Sequence, residues 1–125
     1  MSSTGDKIAD HAKSAIGKSY KLGAKGPNEF DCSGLAIWCH GKVGIIISGD
    51  SQTLSNCGTD VTNDLKPGDL VFYATNNSSN NVSHVGIYIG NNKMVHAAGS
   101  KDGVKEATIT SDYWQTRFKG ARRNW

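Results

Sequence analysis

The stretch Ser83-His84-Val85-Gly86-Ile87-Tyr88-Ile89-Gly90-Asn91-Asn92-Lys93-Met94-Val95-His96-Ala97 decides how this chain folds. Val85, Ile87 and Ile89 alternate with Gly86, Tyr88 and Gly90, the period of a strand. Asn91-Asn92 supplies a hairpin turn, so Lys93 to Ala97 returns as the antiparallel partner. His84 then stands at the start of one strand and His96 near the end of its neighbour. An antiparallel hairpin brings those two ends side by side.

Upstream lies Phe30-Asp31-Cys32-Ser33-Gly34-Leu35. Cys32 opens an apolar helical pattern in which Leu35, Ala36, Cys39 and Val43 share one face, and Asp31 fits the N-cap. A thiol at a helix N-terminus is favoured as thiolate, and a neighbouring imidazole supplies both a base and a stabilising charge. Cys32, His84 and His96 are therefore the candidate catalytic line. The bland alternative is a buried cysteine after a helix cap, with two satisfied structural histidines.

Outward from these blocks, Ile8, Ala12, Ala15 and Ile16 recur at helical spacing and predict a helix from Asp6 to Gly17. Lys18 to Phe30 is a glycine-rich loop whose one conspicuous side chain is Tyr20. Gly44 to Asp64 mixes Ile45-Ile46-Ile47 with polar residues, and a short strand or helix extension followed by turns is expected there. The turn Lys66-Pro67-Gly68-Asp69 leads into a buried strand, Leu70 to Tyr73, followed by a polar loop from Thr75 to Asn81. Val104 to Ile109 and Arg117 to Arg123 read as further strands. Helices followed by an antiparallel sheet make an α+β pattern.

Composition bounds the function. A chain of 125 residues, 37% hydrophobic and 20% charged, suits one compact domain over residues 1–125, and its 15 glycines indicate many tight turns. A net charge of +3 would mildly favour an anionic polymer, but Arg117, Lys119, Arg122 and Arg123 read as a solvated face, and no interleaved aromatic platform points to nucleic acid. No apolar run is long enough to span a membrane, and Met1-Ser2-Ser3-Thr4-Gly5 lacks the features of a signal peptide. The three cysteines fit one reactive thiol plus two that are free or paired, with Cys39 in the core and Cys57 in an exposed turn. A metal site is a poor fit, because the cysteines show no zinc spacing and His40 beside Cys39 makes only a weak pairing. Sequons fall at Asn76, Asn77 and Asn81, the last close to His84.

Asp31-Cys32-Ser33-Gly34, Pro67-Gly68-Asp69-Leu70-Val71-Phe72, the His84 strand and Val95-His96-Ala97, taken in that order, resemble the NlpC/P60 family of papain-like cysteine peptidases. The resemblance runs from about Ile8 to Arg123. It implies a circularly permuted papain-like α+β fold, with N-terminal helices packed on a central antiparallel sheet. It also implies hydrolysis of bacterial peptidoglycan stem peptides between the γ-carboxyl of D-glutamate and diaminopimelate or L-lysine. Cys32 would be the nucleophile, His84 the base and then acid, and His96 the residue that orients His84. Tyr20, Asp31, Ser33 and, more weakly, Ser83 match substrate-binding positions. Asp31 would pair with the free N-terminal ammonium, and the Tyr20 hydroxyl would point toward the reacting carbonyl. Asp31 as cap, Ser33 as first-turn residue and Tyr20 as packed aromatic are the structural alternatives.

The resemblance calls for no cofactor and no metal. Its partner is bacterial peptidoglycan or its stem peptides, met by a monomer that is extracellular or released to act on the wall. Many relatives carry wall-binding modules that these residues do not contain, so the chain is either a catalytic module cut from a longer protein or a free-standing hydrolase. If free-standing, it is expected to prefer soluble stems or loosened wall over intact sacculi. A Cys-His acyltransferase or amidase and a catalytically inactive wall-binding module are the competing functions.

Overall fold

The computed structural model describes residues 3–76 and 80–125. The Asn77 sequon and the middle of the polar loop after Thr75 lie outside the described residues. Helix α1 (Thr4–Ser14) starts earlier than its apolar pattern suggests, because Ser3 caps it and Asp6 completes a capping box at the third position. It ends before Gly17, which adopts φ +94° as the chain turns away. The loop to Phe30 is tied by a small parallel pair, β1 (Ser19–Tyr20) and β2 (Glu29–Phe30).

Helix α2 (Cys32–Gly41) begins with the thiol residue and is capped by the Asp31 carboxylate, as expected. The Gly44 to Asp64 segment forms no strand at Ile45–Ile47, where Ile46 is fully solvated. It holds instead the single turn α3 (Ser51–Leu54), capped by Asp50, and the short β3 (Thr59–Asp60). Strands β4 (Leu70–Tyr73), β5 (His84–Gly90), β6 (Lys93–Ala97) and β7 (Val104–Thr108) follow. A four-residue helix, α4 (Asp112–Gln115), precedes β8 (Phe118–Arg123). The sequence pattern did not indicate α4.

Six strands form one antiparallel sheet in the order β3-β8-β4-β5-β6-β7. The expected hairpin is present: Asn91 and Asn92 both have positive φ, 54° and 62°, and Gly90 pairs with Lys93 across a two-residue loop. One sheet face, through Leu70, Phe72, Val85, Ile87 and Val95, packs on Ile8, Ala12, Leu35 and Cys39 of the helices. The other, through Val71, Tyr73, Tyr88 and Met94, packs on Trp114 and Phe118.

Arg123 departs from the solvated face expected of the basic C-terminal strand. Its guanidinium grips the fully buried Asp69 carboxylate through two bonds of 2.8 Å and donates to the Asp64 carbonyl. The Pro67-Gly68-Asp69 turn is thereby clamped to the last strand of the sheet.

Candidate active site

Cys32 is the first residue of α2, so its position follows from the helix start, and the helix start follows from Asp31. One Asp31 oxygen accepts the Gly34 N–H at 2.6 Å and the Ser33 hydroxyl at 3.3 Å, while the other accepts the Gly23 N–H at 2.8 Å. A β-carbon on Gly34 would run into the Ala24 carbonyl oxygen. Gly34 therefore lets the Tyr20 loop lie directly against the start of the helix. Tyr20 is half-buried there, and its hydroxyl pKa is raised by burial and then by the negative charges of Cys32 and Asp31. The structure thus brings Tyr20, Asp31, Cys32 and Ser33 together.

The backbone N–H of Val85, the residue after His84, lies near enough to the Cys32 sulfur to favour its ionised form. The thiol therefore sits against the start of β5. Burial raises the thiol pKa and the Asp31 charge adds to it, while the N–H groups of Val85, Ser33 and Cys32 pull it down. Burial wins, so the helix N-terminus alone does not hold this group as a thiolate at rest.

His84 and His96 lie on one face of the hairpin. With Ile87 opposite Val95, His96 falls opposite Gly86 and diagonal to His84. Gly86 has no side chain to compete for that space, which Met94 and His96 border. The two rings meet edge to face, with His84 Nε2 and His96 Nδ1 2.8 Å apart. With the shared proton on His84 Nε2, His84 Nδ1 is left as a proton acceptor. Burial pushes the His84 pKa down to about 4; His96 is lowered by burial, by His84 and by the Lys105 ammonium. Both rings are neutral near pH 7, the state a general base requires.

Trp114 is the site residue that the sequence reading missed. Its indole lies nearly parallel to His84, with centroids 5.8 Å apart and planes at 21°, and meets His96 at 86° with centroids 5.1 Å apart. Tyr73 supports it from the sheet. The available signal was Ser111-Asp112 ahead of Tyr113-Trp114, a helix-start pattern too short to show apolar periodicity. Ser83 is oriented differently from the other candidates: its hydroxyl accepts the N–H groups of Thr75 and Asn76. None of the three cysteines forms a disulfide, and Cys39 is fully buried as expected. His40 donates from Nδ1 to the Ala36 carbonyl inside the core. Among the described residues no group of three or more His, Cys, Asp or Glu side chains is arranged to hold a metal ion.

The family model described as NlpC/P60 family matches residues 17–123, a span that contains Cys32, His84, His96 and Trp114. The chain belongs to the NlpC/P60 family. A probable endopeptidase of Corynebacterium glutamicum is 42% identical over 109 residues, covering 86% of this chain and 49% of that protein. The Escherichia coli murein DD-endopeptidase MepH is 33% identical over 113 residues, covering 86% of this chain and 41% of its own length. Among solved structures, NlpC2 of Trichomonas vaginalis superposes with a TM-score of 0.93 at 28% identity, over 100% of this chain and 48% of the other. The α+β architecture of the NlpC/P60 fold, helices on a six-stranded antiparallel sheet, is therefore shared. The chain spans about half the length of these relatives.

Proposed function

We propose that this chain is a cysteine endopeptidase acting on peptidoglycan stem peptides. The observation that carries the reading is the line from Cys32, through the adjoining start of β5, to His84 and His96. In this mechanism His84 Nδ1 takes the Cys32 proton as the sulfur attacks the scissile carbonyl. The imidazolium then protonates the leaving amine. Water, deprotonated by the same ring, cleaves the thioester and restores the thiol. His96 accepts the His84 Nε2–H throughout and fixes the tautomer, the role of the third member of such triads. Because Cys32 and His84 are both neutral at rest, the proton moves when substrate arrives rather than beforehand. Tyr20 donates its hydroxyl to the developing oxyanion.

The stem-peptide assignment is supported by relatives named as wall hydrolases, among them the murein DD-endopeptidase. Action on the wall places the reaction outside the cytoplasm. Among the described residues no helix is long and apolar enough to cross a membrane. For the bond, we favour the link from the γ-carboxyl of D-glutamate to the third stem residue. Asp31 then receives the N-terminal ammonium on the acyl side with the lone pairs its capping bonds leave free, and Ser33 lines the same side. The name of the Escherichia coli relative supports a second cut, at the cross-link between D-centres. Mass spectrometry of defined stems and cross-linked muropeptides, digested by wild type and Cys32→Ala, tests both. A Cys32-dependent product ending in D-glutamate supports the first cut, and loss of cross-linked dimers alone supports the second. No Cys32-dependent product overturns the hydrolase reading.

A further inference from the structure

Beside the histidine pair lies a cavity of about 360 Å³ that touches His84, His96, Trp114, Asp102, Lys105 and Glu106. Cys32, Tyr20 and Asp31 do not line it. In the mechanism above the leaving amine departs from His84, because that ring returns the proton. A space that touches His84 but not the acyl-side residues is therefore placed for the residue carrying the leaving amine.

His96 supplies an independent observation. Its ring is 3% exposed, its Nδ1 is occupied by His84, and its Nε2 has no partner. When His84 Nε2–H donates to His96 Nδ1, the His96 proton is on Nε2. A buried N–H without an acceptor is unfavourable, and it lies in a ring that borders this cavity. The Trp114 indole, which also borders this cavity, packs edge to face on the same ring.

Lys105 on β7 is the direct cross-strand partner of His96, so the two side chains share a face. Its ammonium is only loosely paired, 3.8 Å from Asp102, with both side chains half exposed. Glu106 is paired with Lys93 at 3.1 Å, also half exposed. Such surface pairs exchange partners at little cost.

We propose that this cavity is a subsite for an amino-acid zwitterion on the leaving-group side of the cut, its carboxylate taken by His96 Nε2–H and the Lys105 ammonium and its ammonium by Asp102 and Glu106. The proposal rests on the hydrolase reading. It selects a third stem residue whose side chain ends in both an amino and a carboxyl group, which diaminopimelate has and lysine lacks. It also makes the substrate part of the catalytic line: a carboxylate on His96 holds that ring in the tautomer that His84 needs.

The test uses two tetrapeptide stems that differ only in meso-diaminopimelate or L-lysine at the third position. They are titrated calorimetrically into Cys32→Ala protein and into the same protein carrying Lys105→Met. The expected result is at least about tenfold tighter binding of the diaminopimelate stem, the scale of one charge-assisted hydrogen bond, with most of that preference lost in Lys105→Met. A shift of the His96 Nε2 nitrogen resonance should accompany the diaminopimelate stem alone. Equal affinity for both stems, or a preference untouched by Lys105→Met, would overturn the subsite. Because binding is read without turnover, failure of the hydrolase reading is distinguishable: the binding preference would persist while no Cys32-dependent cleavage was found.

Discussion

Trp114 lies over His84 with ring centroids 5.8 Å apart, and the same indole meets His96 edge to face at 5.1 Å. One aromatic side chain thus covers both members of the hydrogen-bonded pair. Removing that cover lets water reach the imidazoles, and water stabilises their charged form.

Trp114→Leu is therefore expected to raise the His84 pKa from about 4 toward the ordinary value of 6.5. The acid limb of the kcat/KM profile, which reports the free enzyme, moves to higher pH. Loss of ring orientation should lower the maximum by roughly tenfold to a hundredfold. Trp114→Phe should retain most of both. An unshifted acid limb in the leucine variant would show that Trp114 does not desolvate His84.

Acid sensitivity of the fold follows from the same burial. The pKa values of His84, His96 and His40 are lowered, chiefly by burial, so the unfolded chain binds more protons as pH falls. Stability is fully present above about pH 6.5 and is lost as pH falls toward 4, with a slope of up to about 1.4 kcal/mol per pH unit for each histidine. Urea denaturation between pH 7 and 4 should show this loss. His96→Asn should flatten the slope without abolishing it, since His84 and His40 remain.

Arg123→Met strands the fully buried Asp69 carboxylate, which keeps the Lys66 N–H but loses both guanidinium bonds. The expected cost is about 3 kcal/mol, seen as a fall in Tm of roughly 10 °C or more. Adding Asp69→Asn should recover part of it, because the stranded charge is gone. Additive losses in the double variant would rule out the pairing as the cause.

Gly34→Ala forces a methyl group against the Ala24 carbonyl oxygen. Overpacking of this kind costs roughly 1–3 kcal/mol, and the strain falls on the loop that carries Tyr20. Stem-peptide turnover should therefore drop further than thermal stability alone accounts for. A variant with wild-type kcat and KM would show that the loop accommodates the methyl group without moving Tyr20.

Much of this arrangement was legible because it is local. The Asn91-Asn92 turn and the alternation around it set the hairpin register, and the register alone makes His84 and His96 neighbours. Asp31 announces the helix start that puts Cys32 first. The Gly44 to Asp64 segment resisted reading because Ile45 and Ile47 pack on the core without pairing into a strand, and its turn and strand are too short for periodicity. Arg123 was misread because a guanidinium on the last strand of the chain and a carboxylate 54 positions away in a turn share no local signal.

The sequence by itself determined the first helix, the hairpin, the capped helix and the candidacy of Cys32, His84 and His96. Each rests on periodicity or turn chemistry within a dozen residues. Only the tertiary structure decided that burial outweighs the helix N-terminus at Cys32, that Trp114 covers the histidines and that a cavity with Lys105 lies beyond them. Desolvation and enclosure depend on what packs from distant parts of the chain, and no local pattern encodes them.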